Sequence, residues 1–155
     1  MTNVNSPQIT PFLWFDRDAE AAAQLYTSIF ENSCVIEVSR AGDKVMSVTF
    51  ELNGQRVMAL NGGPHYTLTP AFSLFVSVES QTELDRIWDA LLAGGGQPTR
   101  CGWLVDRYGL SWQVIPTVLG KLMGDPDPAR AGRAVQAMMG MIKLDIAELE
   151  RAANG

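Results

Sequence analysis

The chain has 155 residues and a net charge of −5, with 46% of its residues hydrophobic and 19% charged. This is the composition of an ordinary globular protein, long enough for one compact core or two small half-domains. It has no basic cluster, no apolar run of bilayer length and no hydrophobic signal core in Met1–Ser6, so nucleic-acid and membrane partners are not expected and a cytoplasmic protein is.

Cys34 and Cys101 are too few and too far apart for a zinc site or a disulfide framework and read as free thiols.

Ile9–Phe15 is an apolar and aromatic run that reads as a strand. Asp16 and Asp18 then open a helix in which Ala22, Leu25, Tyr26, Ile29 and Phe30 make one apolar stripe, closed by Asn32. Val35–Ser39 reads as a second strand. In Val45–Leu52, Met46, Val48, Phe50 and Leu52 alternate with Ser47, Thr49 and Glu51. Asn53-Gly54 follows, the signature of a type I′ hairpin turn, and Gln55–Asn61 returns until Gly62-Gly63-Pro64 breaks the strand.

A second cycle starts at Ala71–Val78, with Phe72, Leu74, Val76 and Val78 on one face and Ser73, Phe75 and Ser77 on the other. Ser80 with Glu83 forms a capping-box pattern before a helix carrying Leu84, Ile87, Trp88, Leu91 and Leu92, and Gly94–Gly96 end it. A weak strand near Pro98–Cys101 precedes a hairpin over Cys101–Ile115 with its turn at Asp106 and Gly109. Leu110, Trp112 and Val114 share one face of its second strand, and Ser111, Gln113 and Ile115 share the other. Such a strand looks like the wall of a polar-lined pocket.

The pattern strand–helix–strand–strand–strand therefore occurs twice, without sequence identity between the halves. Each sheet can bury one face under its helix, and the mixed second faces suit a shared cavity. In the tail, Asp127 as N-cap and Pro128 at the first helical position start a helix, and Val135, Met138, Met139, Ile142, Ile146 and Leu149 form one stripe. That stripe packs either on its own domain or on a partner subunit.

Four segments carry a family resemblance. They are Ile9–Phe15, Met58–Pro64, Cys101–Val114, and the tail from Gly124-Asp125-Pro126-Asp127-Pro128 through Lys143-Leu144-Asp145-Ile146. The chain resembles the PhnB-like branch of the vicinal oxygen chelate superfamily, which includes glyoxalase I, bleomycin resistance proteins and extradiol dioxygenases. The resemblance implies an α+β fold of paired βαβββ modules forming a curved mixed sheet around a cleft, with C-terminal helices, in a homodimer. The modules would cover about residues 8–66 and 70–118, with a helical extension over 119–155, all in one domain.

The resemblance also implies four metal-ligand positions, which fall on Thr10, Asn61, Ser73 and Gln113. None is a histidine or a carboxylate, and neutral hydroxyl and amide oxygens bind a divalent ion poorly, so the donor set disfavours a metal and no cofactor is expected. His65, the only histidine, is the candidate base, with Glu51 and Asp106 behind it. The leading expectation is a metal-independent small-molecule binding or sequestering protein. Phe12, Trp14, Phe75 and Trp103 would form its apolar walls, and Asn61, Ser73 and Gln113 its hydrogen-bonding groups. The alternatives are a lyase, isomerase or dioxygenase acting on vicinal oxygens, and a protein whose Met-rich tail is an interaction surface. The demethylubiquinone methyltransferase label common in the branch finds no Gly-rich strand-to-helix turn here; Gly94–Gly96 follow a helix.

Overall fold

Alternating apolar residues build two four-stranded sheets of one topology, each with a helix over one face. The computed structural model describes residues 6–155 and divides into two compact units, meeting in sequence between Leu68 and Thr69.

The first unit contains β1 (Phe12–Phe15), α1 (Ala19–Ile29), β2 (Cys34–Ala41), β3 (Lys44–Leu52) and β4 (Gln55–Asn61). The sheet order is β1-β4-β3-β2, with β1 parallel to β4 and the other pairs antiparallel. Leu13, Phe15, Val48, Phe50, Val57 and Ala59 point to the helix side, and Ala19, Ala22, Ala23, Tyr26 and Ile29 of α1 are buried with them. Three alanines on that stripe let the helix lie close to the sheet, and the Tyr26 and Phe50 rings meet at 6.2 Å. Asn53 and Gly54 both have positive φ, +46° and +84°, as a type I′ turn requires.

β1 is shorter than the sequence suggested. Pro11 lacks an N–H to donate, although its carbonyl accepts from Met58 at 2.9 Å, and Ile9 is exposed. Thr10 therefore lies ahead of the strand rather than on it. Asp18 occupies the N-cap position of α1 but makes no capping bond through its side chain.

The second unit contains β5 (Ser73–Val78), α2 (Gln81–Leu92), β6 (Gln97–Pro98), β7 (Trp103–Val105) and β8 (Ser111–Pro116), followed by α3 (Thr117–Met123), α4 (Pro128–Met139) and α5 (Ile146–Asn154). Its order is β5-β8-β7-β6, again with the first and last strands of the module parallel. Leu84, Ile87, Trp88 and Leu91 of α2 are buried on the side of Leu104, Leu110, Trp112 and Val114. Burying each such aliphatic side chain is worth about 2 kcal/mol. Ser80 caps α2 by accepting from the Glu83 N–H at 3.2 Å, whereas the Glu83 carboxylate pairs with Arg86 instead of closing the box.

Cys101 and Gly102 form a positive-φ turn rather than strand ends, so the hairpin begins at Trp103 and the weak strand before it shrinks to Gln97–Pro98. A Cβ on Gly102 would lie 2.7 Å from Ile115 Cδ1. Phe72 likewise precedes β5 and is exposed.

The tail differs most from expectation. The stripe from Val135 to Leu149 is not one helix: Gly140 closes α4, and Asp145 starts α5 by accepting from the Glu148 N–H at 2.9 Å. Between them the chain is tied down by backbone bonds from Cys101 N to Met141 O (2.9 Å) and from Gly102 N to Ile142 O (2.8 Å). The Gln81 amide donates to Leu144 O at 3.1 Å and accepts from Ile146 N at 2.9 Å, and Lys143 pairs with Asp85 at 2.9 Å. Leu144 and Leu149 are fully buried. At the other end, Arg133 of α4 donates to the Ala152 and Ala153 carbonyls at the C-terminus of α5.

Candidate functional site

Strand alternation in the second unit leaves Ser73, Phe75 and Ser77 of β5, Trp103 of β7, and Ser111, Gln113 and Ile115 of β8 on the face opposite α2. The register places Gln113 beside both Phe75 and Trp103. The Gln113 amide donates to the Ser73 hydroxyl at 2.9 Å, which leaves its carbonyl oxygen and second N–H for another partner. Ser111, on the same face, is 1% exposed, and its hydroxyl has no hydrogen-bond partner among the described residues.

This face is one wall of a cavity of about 610 Å³. Phe75, Trp103, Gln113 and Ile115 supply the sheet side, Cys101 the turn, and α3 and α4 the opposite side through Leu119, Met123, Met138 and Met139. The volume falls within the range of small-molecule sites. Of the residues expected at a pocket, Phe75, Trp103 and Gln113 line this one, and Ser73 supports it through Gln113. The contribution of α3 was not anticipated from the sequence; the helical spacing of Leu119, Leu122 and Met123 directly after the last strand is a signal that could have found it.

The other expected residues are placed differently within the first unit. Trp14 donates its indole N–H to Gly63 O at 2.9 Å and meets the Tyr66 ring edge-on at 5.0 Å. Gly62 is essential there, since a Cβ would lie 2.2 Å from the Trp14 ring. Phe12 is 53% exposed on the sheet face away from α1. Asn61 holds the start of α1: its carbonyl oxygen accepts from Ala19 N at 2.8 Å, and its amide donates to Val45 O at 3.2 Å. It supplies the cap that Asp18 does not. His65 is an exposed turn residue.

The base candidates behind it are also engaged. Glu51 pairs with Arg56 at 3.6 Å. Asp106 is 3% exposed and accepts from Tyr108 N, Leu110 N and Trp112 Nε1 at 2.8, 3.1 and 2.9 Å.

A divalent ion does not fit the four positions that the resemblance implied as its ligands. Thr10 is off its strand, the Asn61 amide is committed to backbone partners, and Ser73 and Gln113 bond each other. None carries charge to offset the ion's dehydration. Among the described residues, no three His, Cys, Asp or Glu side chains gather as a metal would require. Nor is any helix long and apolar enough to cross a membrane.

A family profile described as 3-demethylubiquinone-9 3-methyltransferase matches residues 7–115. The PhnB protein from Bacillus cereus is 35% identical, with a TM-score of 0.67 over 72% of this chain and 100% of that one. A Pseudomonas aeruginosa protein is 23% identical, with a TM-score of 0.60 over 72% and 98%. A glyoxalase-related enzyme from Fulvimarina pelagi shares the fold at 15% identity, with a TM-score of 0.50 over 73% and 91%. No curated protein matches the chain. The profile and the Bacillus cereus relative together establish that this chain belongs to the PhnB-like family, which carries the 3-demethylubiquinone-9 3-methyltransferase description.

Proposed function

We propose that the protein binds a small, partly aromatic molecule without a metal. The observation that carries this reading is the cavity of about 610 Å³ bounded by Phe75, Trp103 and the methionines of the tail, with the Gln113 amide in its wall. Rings and thioethers provide apolar contact, and a few placed polar groups provide orientation.

A lyase or isomerase would need a base or a metal at the bound molecule. Asp106 is locked in its turn, Glu51 is paired, and His65 is an exposed turn residue, so none of them supports that reading. The methyltransferase description fares no better. The strand-to-helix junctions, Asp16–Asp18, Glu79-Ser80 and Pro116-Thr117, contain no glycine, and two of them are acidic, so they do not fit a nucleotide-like methyl donor.

The test is a fluorescence titration of the protein with a panel of aromatic small molecules, repeated on Trp103→Phe. Binding predicts saturable quenching that Trp103→Phe diminishes while Trp14, Trp88 and Trp112 remain. A panel that gives no saturable change in either protein refutes it.

A further inference from the structure

The family profile ends at Ile115, and the Bacillus cereus relative is matched along its whole length by 72% of this chain. Half of the cavity lies beyond that point. Leu119, Gly120 and Met123 of α3 and Met138 and Met139 of α4 face the sheet surface across the cavity. The tail is not loosely attached. Its connecting segment is fastened by the backbone bonds at Met141 and Ile142, the paired amide bonds of Gln81, and the buried Leu144. Met138 and Met139 sit immediately before this anchor, so the side chains over the cavity are held in place by the chain that follows them.

The lining has a definite chemistry. Phe75, Ser77, Cys101, Trp103, Gln113, Ile115 and the residues from Pro116 to Met139 that reach the cavity include no Asp, Glu, Lys, Arg or His. A charged ligand entering such a site would lose its hydration with no counter-charge to replace it. Two aromatic rings and three methionines are instead matched to the face and edge of a flat ring system, and unbranched thioethers adjust to its outline. The free half of the Gln113 amide can satisfy one neutral polar group such as a hydroxyl, an amine N–H or a carbonyl.

We infer that the tail completes, across the sheet face, a half-open site selective for neutral, flat aromatic molecules bearing one hydrogen-bonding group. This rests on the binding function proposed above and adds to it both the ligand class and the dependence on the tail.

The experiment compares two probes that share an aromatic skeleton, neutral N-phenylnaphthylamine and anionic anilinonaphthalene sulfonate, by fluorescence enhancement on the full chain. The neutral probe should bind at least about tenfold more tightly, reflecting the uncompensated desolvation of the sulfonate. The double substitution Met138→Ala/Met139→Ala should weaken the neutral probe at least about fivefold, since both removed side chains belong to the roof. Circular dichroism verifies that the variant is folded. A second measurement uses no roof substitution: in Cys34→Ser protein, the neutral probe should slow alkylation of Cys101, which lines the same cavity. Equal affinity for the two probes, roof substitutions without effect, or unchanged Cys101 alkylation would each overturn the inference while leaving ligand binding intact. Absence of binding by both probes and by the aromatic panel would remove the proposed function itself.

Discussion

The carboxylate of Asp106 accepts the indole N–H of Trp112 at 2.9 Å, six residues along the same hairpin. Its other oxygen accepts two backbone N–H groups of the turn, from Tyr108 and Leu110. Trp112 is 1% exposed and lies on the α2 side of β8, so this buried carboxylate fixes both the hairpin turn and one of the two tryptophans of the second core. Trp103 and Gln113 occupy the opposite face of the same hairpin, and the turn thereby sets the register of the cavity wall. Asp106→Asn should destabilise the protein by roughly 1–3 kcal/mol, because an amide N–H would be turned either toward the indole N–H or toward the turn. Chemical denaturation measures this; an unchanged midpoint would contradict the role given to Asp106.

Asn61 joins the end of β4 to the start of α1. Asn61→Ala should cost about 1–2 kcal/mol, in the range of a lost helix cap plus a half-buried hydrogen bond. Asp18→Ala should cost much less, since the Asp18 side chain makes no capping bond. Thermal melts of the two variants decide the order, and the reverse order would show that Asp18 is the working cap.

Gly62→Ala places a methyl group inside the Trp14 ring, 2.2 Å from its nearest carbon. The rigid indole must move, breaking its bond to Gly63 O and its edge contact with Tyr66. A loss of about 2 kcal/mol or more is expected, with a change in tryptophan emission. Gly63→Ala makes a useful contrast: nothing lies within 4 Å of its Cβ position, and its φ of +85° is the only source of strain.

Asp85 anchors the tail segment to α2. Its carboxyl is held below the ordinary aspartate range, first by the Gln81 amide at 3.0 Å and then by Lys143. A pKa depressed in the folded state means that the stabilisation is complete above the ordinary aspartate range and is lost as pH falls through the lowered value. Both partners are about two-fifths exposed, at 39% and 42%, so screening limits the effect to less than about 1 kcal/mol. Asp85→Ala should therefore melt slightly below the parent protein at neutral pH, and the gap should close in acid. A gap independent of pH would argue against the ion pair.

Much of the architecture could be read from local pattern. The alternation in Val45–Leu52 and Leu110–Val114, the Asn53-Gly54 turn, the helical stripe ending at Leu92 and the Ser80 cap are short-range signals, and each formed the element it announced. Strand parity gave Phe75 and Gln113 their polar-side faces, and the pairing of β5, β8 and β7 then brought them beside Trp103. Other features depended on contacts distant in sequence. Asn61 read as a pocket residue, yet a helix start 42 positions earlier claims its amide. Asp106 could be placed in a turn, but its bond to the indole required the folded hairpin.

The tail shows the division most clearly. Its sequence specified a helix start at Asp127-Pro128 and an apolar stripe, because capping chemistry and helical period are local properties. Tertiary structure decided that the stripe breaks after Met139, where backbone bonds to Cys101 and Gly102 bind the intervening segment instead. It also decided that Met123, Met138 and Met139 would face Trp103 and Phe75 across a cavity. Which surface an apolar stripe covers depends on the shape and satisfied polar groups of that surface, and those exist only once the sheet has formed.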